Sequence, residues 1–116
     1  AVRLRHPAGL TALTTHGISH IELRMLDLDP TVTTGIRSDT LLLVQLLAFY
    51  FMVTPKLAAT ELTAATQQND QVALEHPLAT SSQQQAGLDL LAQLQELVIT
   101  AELPPIYRSV VAQAAE

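Results

Sequence analysis

Cysteine and tryptophan are absent from these 116 residues, phenylalanine and tyrosine occur twice each, and six Lys and Arg stand against eleven Asp and Glu. Without cysteine there is no disulfide framework, no thiolate nucleophile and no cysteine-based zinc site. So few aromatics leave a core of Leu, Ala, Val and Ile, which suits helix packing. A net charge of -5, with no basic cluster, argues against an electrostatic grip on nucleic acid. Apolar runs of membrane length are missing as well. Leu41 to Val53 is interrupted only by Gln45, but as a helix rising about 1.5 Å per residue it covers roughly 20 Å of a hydrocarbon core about 30 Å thick. A buried helix is expected there, and no membrane partner. Gly9, Gly17, Gly35 and Gly87 are too scattered to cradle phosphate, and no nucleophile elbow, Walker loop or dinucleotide fingerprint occurs. No charged leader pattern is seen, and the first residue is Ala1, so a processed or cut N-terminus is expected, with cytoplasm as the default location.

What is present reads as one mainly α fragment spanning residues 1–116: a short β element around residues 18–26, followed by about four helices. Residues 1–30 hold the β element and residues 38–116 the helical part. Val2-Arg3-Leu4-Arg5 alternates like a short strand, and His6-Pro7-Ala8-Gly9 breaks it. Leu10 to Thr15 is too short to assign. The first helix is expected from Ser38 or Asp39 to about Val53, buried on most sides because it is apolar nearly all round. Thr54-Pro55 reads as a capping hydroxyl with proline at the first position of a second helix, which runs to about Glu75 and carries the polar run Thr66 to Gln71. Ser81 or Ser82 should cap the third helix. Leu90, Leu91, Leu94, Leu97, Val98 and Ala101 form one of its faces and Leu88, Ala92, Ile99 and Leu103 a second, a pattern expected of a helix sandwiched between neighbours. Pro104-Pro105 stops it and starts a fourth helix, from Ile106 to about Ala115, with Ile106, Val110 and Ala114 on one stripe.

The chemistry-bearing stretch is His16 to Pro30. On a strand His20, Glu22 and Arg24 project together while Ile21, Leu23 and Met25 fill the other side. The alternation changes phase near Met25 to Leu26, where a bulge or the end of the strand is expected. Three readings of the charged face stay open. Glu22 and Arg24 make a solvated ion pair worth about 0–1 kcal/mol. His20 and Glu22 offer imidazole and carboxylate to a transition metal, but no third ligand converges on them. Or Glu22 holds Mg²⁺, which takes one or two protein carboxylates besides water and phosphate, while Arg24 forks onto a phosphate oxygen. His16 lacks a helical face shared with His20, and His6 and His76 precede prolines as loop residues.

The run Gly17-Ile18-Ser19-His20-Ile21-Glu22-Leu23-Arg24-Met25-Leu26-Asp27-Leu28-Asp29-Pro30, followed by Gly35-Ile36 and a Leu-rich helix, resembles the Glu-Leu-Arg segment of bacterial glutamate-cysteine ligases, which occur alone or as the first half of the bifunctional glutathione-synthesising enzyme. The likeness is dense over Gly17 to Ile36 and thins through Glu61-Leu62 and Val72 to Pro77. It departs at Asp29-Pro30-Thr31, where the family reads Asn-Pro-Phe, and at His20, where an aromatic is common.

The resemblance implies an α+β ligase with a glutamine-synthetase-like catalytic sheet, of which this chain is the C-terminal portion of the ligase module. It also implies glutamate, cysteine and ATP as substrates, Mg²⁺ as cofactor, Glu22 as a metal ligand and Arg24 as the catalytic contact to ATP phosphate. ATP phosphorylates the glutamate side chain, and the cysteine amine attacks the acyl phosphate to give γ-glutamylcysteine. The remainder of the ligase chain is the implied partner. An isolated fragment is expected to be inactive and, with faces bared, to self-associate. Two rival readings remain: a non-catalytic helical interaction module, and another carboxylate-amine ligase of the same superfamily.

Overall fold

The computed structural model describes residues 2–115, the side chain of Val2 excepted. These residues fall into two compact units divided between Arg37 and Ser38. The chain is mainly helical, as the sequence pattern predicts. Five α-helices and one two-stranded antiparallel sheet are found among the described residues.

The first unit is built on the sheet. Strand β1 (Val2–Arg5) pairs with β2 (His20–Leu23), with Arg3 opposite Glu22, Leu4 opposite Ile21 and Arg5 opposite His20. The β element is therefore shorter than the 18–26 the alternation suggests. With only four residues on β1, only four on β2 find ladder partners, so the phase change at Met25 to Leu26 lies beyond the strand and needs no bulge. Between the strands runs α1 (Leu10–His16), a helix that the sequence did not announce. Its threonines are poor helix formers, but the hydroxyls of Thr14 and Thr15 both donate to the Thr11 carbonyl, at 2.8 and 3.0 Å.

The second unit holds α2 (Ser38–Val53), α3 (Ala59–Ala73), α4 (Gln84–Thr100) and α5 (Ile106–Ala114). Its core is Leu46, Leu94, Val98, Tyr107 and Val111, with Leu42, Leu47, Leu90 and Leu103 packed around them. Gln45, the polar break in the apolar run of α2, accepts a hydrogen bond of 2.8 Å from the Tyr107 hydroxyl. Tyr107 thus helps to set the buried face of α5, which is Tyr107, Val110 and Val111 and not the Ile106, Val110 and Ala114 stripe. The end of α4 closes in a Schellman motif: Leu103 N–H donates to the Val98 carbonyl and Glu102 N–H to that of Ile99, with Glu102 at φ +50°.

Several helix expectations shift. Thr54 does not cap a new helix; its N–H donates to the Tyr50 carbonyl and its hydroxyl to that of Phe51, so it is spent on the end of α2. Helix α3 starts later, where the Glu61 carboxylate accepts the Ala58 N–H at 2.6 Å. Ser81 does not cap α4 directly; its hydroxyl accepts from Gln83 N–H, one residue ahead of the helix. The apolar run of α2 predicts burial on most sides, yet Leu46 is its one buried residue among those described, and Phe51, Met52 and Val53 are exposed. The second face of α4 is likewise bare at Leu88 and Ile99. Helix α3 has no buried residue at all, so its polar run meets water. No helix among the described residues is long and apolar enough to cross a membrane.

Candidate functional site

The register of the sheet builds the candidate site. Alternation puts Arg3, Arg5, His20 and Glu22 on one face and Leu4, Ile21 and Leu23 on the other. Glu22 faces Arg3 directly, yet its carboxylate takes hydrogen bonds from the diagonal neighbour and from its own strand's continuation. Arg5 Nε donates to Oε2 at 2.8 Å, and Arg24 Nε donates to Oε1. Each oxygen has a guanidinium partner. The side chains of Arg5, Glu22 and Arg24 are 40%, 29% and 55% exposed, so this is a half-open surface triad and its worth as stabilisation is small. Its worth as organisation is larger, because charge-assisted bonds from two directions fix a carboxylate that one bond would leave free to turn. The Arg24 hydrogen bond, and next the one from Arg5, hold the Glu22 carboxyl below the usual glutamate range.

The period of two puts Glu22 and Arg24 on one surface, and the structure joins them. Arg5, which that spacing leaves out, joins the same carboxylate. The signal was available: Val2-Arg3-Leu4-Arg5 alternates in the same way as His20 to Leu23, and antiparallel pairing of two such strands puts arginines across from the glutamate. His20 lies on the same face, exposed, with Nδ1 at 3.5 Å from the Ser19 hydroxyl. Among the described residues no three His, Cys, Asp or Glu converge as a metal-binding group. The His-Pro dipeptides act as turn locks, since His6 Nδ1 accepts Ala8 N–H at 3.1 Å and His76 Nδ1 accepts Leu78 N–H at 3.2 Å.

Glu22 fits Mg²⁺ in kind but as one ligand only. A carboxylate is the hard oxygen donor this ion takes, and each oxygen keeps a lone pair after accepting one guanidinium hydrogen bond.

The loop after β2 is closed and specific. Asp29 Oδ1 accepts from Thr31 N–H at 2.8 Å and from its hydroxyl at 2.5 Å, while Asp29 N–H donates to the Gly35 carbonyl at 2.7 Å. The Thr31 hydroxyl, then its N–H, lower the Asp29 pKa from the ordinary aspartate value. Gly35 sits at φ +72°, and a Cβ there would stand 2.9 Å from Leu28 Cδ2. The backbone bond from Thr31 N–H needs only an oxygen acceptor at position 29, which an asparagine carbonyl also supplies, whereas the second bond depends on the Thr31 hydroxyl. In the second unit a groove of about 450 Å³ is lined by Leu43, Leu47, Leu88, Leu91 and neighbouring apolar residues, with Gln84 the polar side chain among the described lining residues.

Comparison with known proteins bears on the same segment. The sequence model of the glutamate-cysteine ligase family matches residues 2–73, which include both strands of the sheet and the Glu22 and Arg24 pair. The glutathione biosynthesis bifunctional protein of Lactiplantibacillus plantarum is 35% identical over 107 residues, covering 89% of this chain and 14% of that protein. The protein of the same description from Streptococcus mutans is 33% identical over 109 residues, 92% of this chain and 14% of that one. That from Streptococcus agalactiae serotype V is 30% identical over 109 residues, with the same 92% and 14% coverage. The chain thus spans about 14% of the length of the curated relatives it matches. No solved structure matches it.

Proposed function

Because the chain belongs to the glutamate-cysteine ligase family, we propose that it contributes one active-site strand to an ATP-dependent ligase that forms γ-glutamylcysteine for glutathione. In the first step the glutamate side-chain carboxylate attacks the γ-phosphorus of ATP, the bond to the ADP oxygen breaks, and γ-glutamyl phosphate forms. In the second the cysteine amine attacks the acyl carbon, phosphate leaves, and the amine gives up a proton.

Arg24 donates to a phosphate oxygen in this reading, since the planar guanidinium fork matches phosphate geometry. Glu22 is one Mg²⁺ ligand, joined by carboxylates from sequence outside this chain. Bound Mg²⁺ supplies neutralisation of charge on the transferring phosphoryl group. The observation that carries the proposal is the junction of Glu22 and Arg24 at one carboxylate on β2, inside the segment matched by the family. One carboxylate and one phosphate contact do not make a site, so the chain by itself is inactive. The use of ATP and the free amino acids points to the cytoplasm.

In the ligase that carries this segment, Glu22→Ala and Arg24→Ala should each lower kcat by about 100-fold or more while thermal unfolding stays near that of the unaltered protein. Turnover close to normal in both variants would remove the assignment. Profiling of amine acceptors in place of cysteine separates this ligase from relatives with another second substrate.

A further inference from the structure

We propose that Arg5 is a positioning residue: from the neighbouring strand it holds the Glu22 carboxylate in place, so that Arg24 can move from that carboxylate to a phosphate oxygen. The inference rests on the roles given to Glu22 and Arg24 above.

The two guanidinium groups that meet Glu22 are not equivalent. Arg5 belongs to β1 and sits opposite His20, and its own carbonyl accepts the Ser19 N–H at 2.9 Å. Its backbone is therefore pinned beside β2 by the sheet. Arg24 follows Leu23, the last residue of β2, so its backbone lies past the ladder, and its side chain is the more exposed of the two, 55% against 40%. A guanidinium on a paired strand is the fixed partner. One on the chain beyond the ladder is the exchangeable partner.

A phosphate oxygen competes with Glu22 Oε1 for the Arg24 guanidinium, which now donates to that carboxylate through Nε. As Arg24 turns to phosphate, a Glu22 carboxylate held by no neighbouring side chain would be free to turn and would repel the incoming anion until Mg²⁺ is bound. Arg5, at 2.8 Å from Oε2, prevents both. It keeps a charge-assisted bond on the far oxygen and offsets the negative charge. Arg3 stands directly across from Glu22 in the register without being the donor, which makes it the natural control for loss of a cation from the same strand face.

The test uses the full ligase. Arg5→Ala should lower kcat by about 10- to 100-fold, the range expected when a reacting group is misplaced by an ångström or so. Binding of a non-hydrolysable ATP analogue, followed by calorimetry without turnover, should weaken, while KM for glutamate and for cysteine holds. Arg5→Lys, which restores a cation and a donor, should recover most of both losses, and Arg3→Ala should behave like the unaltered enzyme. If Arg5→Ala unfolds, Arg5→Gln keeps the stem, removes the charge and takes its place. The decisive arm is non-additivity: in a Glu22→Ala background, Arg5→Ala should add nothing further. Normal kcat in Arg5→Ala, a loss that Lys does not restore, or losses that simply add to those of Glu22→Ala would each overturn the proposal. If instead Glu22→Ala and Arg24→Ala leave turnover intact, the ligase reading of the pair fails; if they abolish it while Arg5→Ala does nothing, this inference alone fails.

Discussion

Replacing Leu94 by Ala probes the helical unit at its centre. Leu94 is fully buried on α4, in the cluster that also holds Leu46 and Val98. Truncation removes the transfer free energy of the lost carbons and leaves a cavity, together about 2–5 kcal/mol for a buried leucine. Domains of this size have about 0.05–0.15 kcal/mol of stability per residue, so the loss takes a large share of the total. At about 4–8 °C per kcal/mol for a domain under 100 residues, Tm should fall by about 8 °C at the least. The contrast is Leu62→Ala. Leu62 is 55% exposed on α3, which has no buried residue, and a surface change of this kind is worth within about 0.5 kcal/mol. Thermal unfolding followed by far-ultraviolet circular dichroism measures both. If Leu62→Ala costs as much as Leu94→Ala, α3 is packed against something and the description of it as a bare helix is wrong.

Two further outcomes follow from local geometry. Glu102 closes the Schellman motif of α4 at φ +50°, a conformation that costs a residue with a Cβ about 1–2 kcal/mol and glycine little; Glu102→Gly should therefore raise Tm by a few degrees, and a fall in the same melt would refute the strain. The pKa of Glu22 is lowered in the folded chain by Arg24 and Arg5, so its charge supports the sheet at pH above the usual glutamate range, about 4.3, and that support is lost as pH falls through the folded value. Cross-strand contacts between Leu4 and Ile21, followed by nuclear magnetic resonance, should weaken on acidification, and Glu22→Gln should remove that dependence.

Much of this was legible in the residues, for identifiable reasons. The shared surface of Glu22 and Arg24 could be read because a period of two puts both on one parity. The termini of α2 and α5 could be read because an apolar run and a proline pair are strong local signals. What was not legible depended on partners distant in sequence. Thr54 looked like a cap because its hydroxyl can serve either helix, and the choice went to the Phe51 carbonyl behind it. Helix α1 was not legible because its seven residues are too few to show a helical period. Arg5 escaped because a residue's place in a site across a sheet follows from register, and register appears only once the strands are paired.

The remaining mismatch lies in burial. The pattern of α2 and of the second face of α4 asks for cover, and so does the apolar face of the sheet, yet Phe51, Met52, Val53, Ile99, Leu4 and Ile21 are all exposed. Where pattern and burial agree, at Leu46, Leu94 and Val98, the partners are within the chain itself. An apolar periodicity records where a residue is buried in the whole protein, whereas its exposure in this chain records only what the chain supplies. The two differ on the same elements that the sequence marks as apolar on more than one side, which is the result expected of a segment that spans about 14% of its relatives. The bare faces of the helices and of the sheet are thus of one kind: each is apolar by pattern and exposed in this chain.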